Sequence, residues 1–295
     1  MELRRRLNSL ETTTLELAHL RILTAGPHSL HIPGMNPAIV RLGRLGYAAK
    51  GLVYIVLGFL ATEAAFGRGG KTTDSKGALR TIGEAPFGKF ALVVVMIGLF
   101  GYAAWRILSA ATDAERRGDQ PSSLALRAGD AIRGVAYGSL GVYTLRYLMH
   151  HRASSGNKAP SYVDRVMGMP GGRMIVILVG LAFVGYAIYQ IYKAMSDKFL
   201  KRLDLSTATA QVRTWVERSG KFGISARAIV FGMIGVLMAR AGLSYDPSEA
   251  GGIAQSLDAI AREPRGHLLF SVVAVGLIAY GLFQIATARY RVMRV

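Results

Sequence analysis

Apolar residues are gathered along this chain into long runs, with no strand-like alternation of apolar and polar positions. The mostly apolar runs cover residues 45–66, 88–110, 131–150, 173–195, 224–243 and 267–288. A helix of about 20 such residues spans the roughly 30 Å hydrocarbon core of a bilayer. The pattern therefore predicts an all-α polytopic membrane protein with six transmembrane helices.

The runs form pairs, because one stretch of the sequence returns twice. Residues 44–113, 127–197 and 221–291 align with one another, and such self-similarity defines the fold before any local motif does. Each copy holds an even number of spans, so every copy enters the membrane from the same side. The pattern predicts three parallel two-helix repeats in a pseudo-threefold arrangement, not the inverted repeats of many transporters.

The repeats divide the chain into four parts. Residues 1–36 are polar and contain prolines, which predicts a flexible cytoplasmic tail. Repeat unit 1 is predicted at 37–114, unit 2 at 115–198 and unit 3 at 199–295. Inside each unit, a short amphipathic stretch precedes a proline, as with Leu79 and Ile82. We expect these stretches to lie flat on the outer membrane surface.

Basic residues are distributed unevenly between the two sides of the predicted spans. The chain has a formal net charge of +18. The segments on the side of the N-terminus carry 16 Lys and Arg residues, against 9 in the loops on the opposite side. The positive-inside rule then places both termini in the cytoplasm. Basic loops beside spans need no nucleic acid as a partner, so none is expected.

Two ionisable positions recur in register within the first span of each pair. Lys50, Arg133 and Arg227 stand near its start, and Glu63, Arg146 and Arg240 follow thirteen residues later. At 1.5 Å per residue, thirteen residues cover about 20 Å. The two positions then fit the opposite rims of the bilayer, where long side chains reach water. The alternative is that the cations bind an anion or a lipid headgroup.

Tyrosines recur in the second span of each pair, sixteen residues after the proline: Tyr102, Tyr186 and Tyr280. Trp105, Tyr189 and Phe283 follow three residues later. An interfacial aromatic belt is the first interpretation, and a ligand cage is the second. Because the cations and these tyrosines have similar depths, we predict that Lys50 approaches Tyr102, Arg133 approaches Tyr186 and Arg227 approaches Tyr280. Tyr54 and Tyr137, one turn past the first two cations, are the competing partners.

Several motifs of the first unit resemble the bacterial domain-of-unknown-function 1206 family. They are LGRLGYAAKGLVYIVLG at 42–58, GAL at 77–79, PFG at 86–88 and GYAAW at 101–105. The third copy departs most, with Ala228, Phe231 and Arg291 at repeat positions. The resemblance implies a transmembrane helix pair occurring three times and a bacterial inner-membrane location. It implies no activity.

No catalytic pattern accompanies the repeats. The chain contains no cysteine, and its histidines lack carboxylate company at ligand spacing. We therefore expect no enzyme activity, no catalytic or metal-binding residue and no cofactor. The sequence favours a structural or interaction protein that binds anionic lipid headgroups at the cytoplasmic face, or a membrane-protein partner. The alternative is a channel or carrier for a small, possibly anionic, solute along the repeat axis. Cations converging on a central cavity would favour passage, and cations splayed to the rim would favour scaffolding.

Overall fold

The computed structural model describes residues 37–66, 72–112, 120–150, 162–263 and 266–292. They belong to one compact unit, Asn36–Val295. The predicted cytoplasmic tail, residues 1–36, lies outside the described residues.

In this part of the chain every regular element is helical, as the apolar runs predict. The β-type contact found there is an isolated antiparallel bridge between Leu203 and Arg291. Two 3-10 turns, Leu200–Arg202 and Pro247–Glu249, lie between the long helices. The α-helices are α1 Pro37–Ala65, α2 Ser75–Glu84, α3 Gly88–Ala111, α4 Pro121–His150, α5 Tyr162–Met167, α6 Gly172–Met195, α7 Ala210–Ser244, α8 Ile253–Arg262 and α9 Gly266–Tyr290.

Five of the long helices are long and apolar enough to cross a membrane: α1, α3, α6, α7 and α9. The helix that contains the remaining predicted span, α4, is 30 residues long but is not among them. It carries Arg127, Asp130 and Arg133 in its first half, which lowers its mean hydropathy. The all-α, membrane-type prediction is confirmed, and six spans remain a prediction.

The long helices pack in the order in which a closed ring would place them. Within units 1 and 3, α1 packs on α3 and α7 packs on α9. Between units, α3 packs on α4, α6 on α7, and α9 on α1. The two helices of unit 2, α4 and α6, do not pack on each other in this way. The ring is therefore open at one place, inside the middle repeat.

A Pro-x-Gly sequence precedes the second long helix of every unit, and the glycine allows a close approach. A Cβ added at Gly88 would lie 2.2 Å from the carbonyl oxygen of Ile82, and one at Gly172 would overlap the carbonyl of Val166. A Cβ added at Gly266 would lie 2.1 Å from the carbonyl oxygen of Ile260. The second long helix of each unit therefore starts directly against the end of the short helix before it. The helices begin at these glycines, two residues after the proline, and not at the proline itself.

The short amphipathic helices of units 1 and 3 pack on the bundle. Leu79 and Ile82 of α2 are buried, as are Leu257 and Ile260 of α8, because α2 contacts α1 and α3 while α8 contacts α7 and α9. Their apolar faces therefore pack on protein and not on lipid, and the position of these helices at the outer membrane surface stays a prediction. The shorter α5 of unit 2 has no buried residue.

Candidate functional site

A cavity of about 540 Å³ lies between the long helices, near one end of the bundle. At this end the first helix of each unit begins and the second helix ends. All six long helices line the cavity. Its polar lining consists mainly of cations and phenols. The cations are Lys50, Arg106, Arg133, Lys193, Arg202, Arg227 and Arg291, and the tyrosines are Tyr47, Tyr102, Tyr137, Tyr186 and Tyr280.

The six residues singled out by the repeats all line this cavity: Lys50, Arg133, Arg227, Tyr102, Tyr186 and Tyr280. The predicted approach of cation and tyrosine is present in every unit. The side-chain cation lies 5.2 Å from the ring centroid for Lys50 and Tyr102, 5.9 Å for Arg133 and Tyr186, and 4.7 Å for Arg227 and Tyr280. All are within the roughly 6 Å at which a cation and a ring attract each other.

Two interpretations from the sequence are wrong for the inner cations and tyrosines of units 1 and 3. Lys50 is 4% exposed and Arg227 is 8% exposed, so these cations point into the bundle and not to the rim. Tyr102 and Tyr280 are buried as well, so they do not belong to an interfacial belt. The helical rise correctly placed each cation at the level of its tyrosine, but the direction in which each side chain points depends on how the helices pack.

Lys50 lies among three aromatic rings that come from three different helices. Its Nζ is 5.2 Å from the Tyr102 centroid, 5.1 Å from Tyr137 and 5.4 Å from Tyr280. It donates a hydrogen bond to the Tyr102 hydroxyl at 3.5 Å. Tyr137 belongs to unit 2 and Tyr280 to unit 3, so this cage joins all three repeats. Tyr137, the competing local partner of Arg133, here contacts the cation of another unit.

Arg227 is held in a similar way. Its guanidinium lies 4.8 Å from the Phe231 ring centroid and 4.7 Å from that of Tyr280. One Nη donates to the Tyr186 hydroxyl at 3.2 Å, across the boundary between units 2 and 3. Its buried Nε has no hydrogen-bond partner. An unsatisfied donor on a buried charged group costs free energy unless a ligand or water supplies the acceptor.

A polar network on α3 and α4 completes the site. Arg106 pairs with Asp130 at 3.0 Å, and Arg133 pairs with the same carboxylate. Arg106 also donates to the Tyr102 hydroxyl at 3.0 Å and to the Tyr47 hydroxyl at 2.7 Å. This network fixes the Tyr102 ring that forms one wall of the Lys50 cage.

Three residues of this network were not predicted from the sequence: Arg106, Asp130 and Tyr47. A signal for Arg106 was present, because a polar residue follows each repeated tyrosine by four positions in an otherwise apolar run. Its counterparts in units 2 and 3 are Gln190 and Gln284, and both are buried and line the cavity. Asp130 and Tyr47 carried no such signal, since they occupy one repeat position with different residue types.

The cavity carries an excess of positive charge. Seven Lys and Arg side chains line it, and no carboxylate does so among the described residues. Asp130 forms ion pairs with Arg106 and Arg133. Lys50 and Arg227 contact rings and hydroxyls but no carboxylate in the described part of the chain. Burying like charges together costs several kcal/mol per ion, and an anion placed between them would offset that cost.

The cavity does not continue through the bundle. One and two turns past Lys50 on α1, Tyr54 and Leu57 are buried and pack in the core, and Leu277 of α9 is buried in the same core. Tyr54 and Tyr280 make an edge-to-face contact with centroids 4.8 Å apart.

The described residues hold no group of three or more His, Cys, Asp or Glu that could bind a metal ion.

Comparison with known proteins finds the same three repeats. The family model described as Domain of Unknown Function (DUF1206) matches residues 45–113, 128–197 and 222–291. The protein named YxxB of Bacillus subtilis (strain 168), described as uncharacterized, is 35% identical over 258 residues, which cover 88% of this chain and 93% of that protein. No solved structure matches.

Proposed function

The chain belongs to the DUF1206 family, and we propose that it is a multi-pass protein of the bacterial inner membrane whose central cavity binds an anionic group. The ligand chemistry is that of a phosphate or carboxylate, held between Lys50 and Arg227. The aromatic rings position these two cations. The proposal assigns no reaction to the site.

The observation that carries this proposal is a pair of buried cations with no carboxylate partner among the described residues. Arg227 is 8% exposed, lines the cavity and has an Nε without a hydrogen-bond partner. Lys50 is 4% exposed and has the Tyr102 hydroxyl as a distant acceptor. Charged groups inside membrane helices are expensive and mark functional sites by default. An anion that bridges both cations would satisfy the orphaned donor and reduce their mutual repulsion.

The direction of the cations bears on the choice between the function classes. They converge on a cavity, which supports a bound ligand over a scaffold whose charges only decorate the membrane rim. The buried layer of Tyr54, Leu57 and Leu277 beyond the cavity speaks against a permanently open channel. A carrier for a small anion is the second candidate, because converging cations are also what a transported anion needs. In that case the buried layer has to open during transport.

The proposed topology has six spans and both termini in the cytoplasm, following the positive-inside rule. It includes α4 as a span although this helix is the most polar of the six. Asp130 of α4 is 1% exposed and Arg133 lines the cavity. Polar residues in a span face the protein interior or a cavity rather than lipid, so these charges are compatible with a membrane-crossing α4.

The test is anion-dependent stabilisation of the full-length protein in a neutral detergent. The unfolding temperature is measured in inorganic phosphate and in chloride of the same ionic strength. Phosphate at about 100 times its Kd stabilises the folded state by about 2.7 kcal/mol. Lys50→Met and Arg227→Met each remove a charge-assisted contact worth about 1.5–3 kcal/mol, so phosphate binds roughly 10- to 150-fold more weakly.

The matched control is Arg146→Met, since Arg146 is an exposed cation on a long helix and does not line the cavity. It should keep the phosphate-dependent rise of the wild-type protein. The proposal fails if phosphate gives no more stabilisation than chloride. It also fails if the double variant Lys50→Met with Arg227→Met retains the full effect.

A further inference from the structure

We propose that the anion in the cavity is the headgroup of an anionic lipid, which enters sideways from the bilayer between α4 and α6 and leaves its acyl chains in that opening. The inference rests on the proposed function, because it names the source of the anion.

The glycines of the repeats show that unit 2 is open where units 1 and 3 are closed. A Cβ added at Gly46 would lie 2.5 Å from Tyr102 Cβ, and one at Gly223 would lie 2.4 Å from Tyr280 Cα. At the equivalent Gly129, the nearest atom is a terminal nitrogen of Arg133 at 3.8 Å. The two helices of unit 2 are therefore separated at the level of the cavity.

The second helices give the same result. A Cβ at Gly101 would lie 2.7 Å from the carbonyl oxygen of Leu42, whereas the equivalent Gly185 has nothing within 4 Å. Val95 and Val273 are 2% and 0% exposed, whereas the equivalent Val179 is 37% exposed. The valine position is thus packed in units 1 and 3 and open in unit 2, and the glycine position is packed in unit 1 and open in unit 2.

A pair of substitutions between repeats explains the separation. In unit 1 the helices cross where Ala49 faces Gly98, and a Cβ added at Gly98 would be 2.6 Å from that of Ala49. In unit 3, Ala226 faces Gly276 with a corresponding distance of 2.2 Å. Small residues at such crossings let membrane helices approach closely.

Unit 2 has larger side chains at both of these positions. Ile132 replaces the alanine and Ala182 replaces the glycine. A crossing at the distance seen in units 1 and 3 has no room even for the extra Cβ of Ala182. The sequence of unit 2 therefore holds α4 and α6 apart.

The opening is apolar at its mouth and basic inside. Four exposed apolar residues line the cavity at its mouth: Ile132, Ala136, Val179 and Ala182. The exposed fraction of Ile132 is 70%. Behind them lie the cations described above. Apolar residues at the mouth suit acyl chains, and a basic pocket between membrane helices suits an anionic headgroup. A free soluble anion gains nothing from an apolar mouth, so the observations favour a lipid.

The other approaches to the cavity are more obstructed. Toward the bundle centre it ends at the buried layer of Tyr54 and Leu57. At the opposite end, the segment 196–209 folds back on α9, where the amide of Asp204 donates to the carbonyl of Tyr290 at 2.8 Å. Phe199 of this segment is 4% exposed and lines the cavity. The gap between α4 and α6 is the approach that faces the bilayer.

The absence of native cysteine allows a direct test with single reporters. Ile132→Cys carries a fluorophore at the mouth, and Leu178→Cys carries it on the outer side of α6. Leu178 is the control because it is 57% exposed but does not line the cavity. Each labelled full-length protein is reconstituted into phosphatidylcholine vesicles. These contain an equal fraction of either brominated phosphatidylglycerol or brominated phosphatidylcholine, whose bromines quench a nearby fluorophore.

We expect brominated phosphatidylglycerol to be enriched about fivefold over brominated phosphatidylcholine at position 132, and not at position 178. Lys50→Met with Arg227→Met should abolish that preference. Equal quenching by the two lipids at position 132 overturns the inference, as does a preference that survives loss of both cations. If phosphate still stabilises the protein in detergent while the lipid preference is absent, only the lipid source is refuted. If the phosphate effect is also absent, the proposed anion site itself is refuted.

Discussion

Replacing Lys50 by methionine should stabilise the protein when no anion is bound. Lys50 and Arg227 lie 5.4 Å and 4.7 Å from the centroid of the same Tyr280 ring, so their charges are at most about 10 Å apart. At an effective dielectric constant of about 20, two like charges at that distance repel by about 1.7 kcal/mol. Methionine has a similar length and keeps the contacts with the rings, but it removes this repulsion.

The other consequences of this change largely oppose one another. The variant loses the attraction between the ammonium and three rings, each worth about 0.5–2 kcal/mol. It also loses the penalty of several kcal/mol for burying an ion. The Tyr102 hydroxyl keeps a donor, because Arg106 donates to it at 3.0 Å. The repulsion therefore decides the sign, and we expect the unfolding temperature to rise by a few degrees.

The assay is thermal unfolding of the delipidated full-length protein in a neutral detergent with chloride as the anion. Lys50→Arg keeps the charge and should not give the rise, and Arg146→Met should leave the unfolding temperature unchanged because its side chain is exposed. A lower unfolding temperature for Lys50→Met would refute the reasoning. It would mean that the ammonium and its rings hold the three repeats together and that no ligand is required to balance the charge.

Three further predictions concern the repeats and the topology. Gly101→Ala should lower the free energy of unfolding by about 1–3 kcal/mol, because the added Cβ would lie 2.7 Å from the Leu42 carbonyl oxygen. Gly185→Ala, at the open equivalent position, should be neutral. Thermal unfolding of both variants checks this, and equal losses would contradict an open unit 2. Ile132→Ala with Ala182→Gly gives unit 2 the small pair of units 1 and 3, so α4 and α6 should approach each other. A fluorophore on Val179→Cys at the mouth should then no longer be quenched preferentially by brominated phosphatidylglycerol. An unchanged preference would show that these two side chains do not hold the gap open. Reporter fusions after residues 75 and 295 should report opposite sides of the membrane; the same side for both would eliminate the six-span topology.

Much of the fold follows from patterns along the chain. Apolar runs of sufficient length become helices because backbone groups in hydrocarbon must be satisfied within one segment. The repeat period separates the units, and the family match covers the same residues. The rise of 1.5 Å per residue also gives the relative depth of each cation and tyrosine. That is why Arg227 and Tyr280 could be paired from the sequence before their 4.7 Å contact was known.

The direction of each side chain could not be obtained in this way. A membrane-spanning helix is apolar on all faces, because both lipid and protein neighbours are apolar, so its pattern does not identify the inward face. The rim and the cavity are equally compatible with a cation at the depth of Lys50. Contacts between repeats, such as Arg227 with Tyr186, depend on which helices become neighbours.

The open middle repeat also depends partly on the sequence and partly on the packing of the helices. The sequence by itself determined that unit 2 has Ile132 and Ala182 where the other units have alanine and glycine. Only the tertiary structure decided what this difference means, because the two positions face each other only when the helices cross at that level. The sequence sets the spacing and volume of side chains within each helix. The packing of all six helices decides that the added volume opens the ring between α4 and α6 beside a basic cavity.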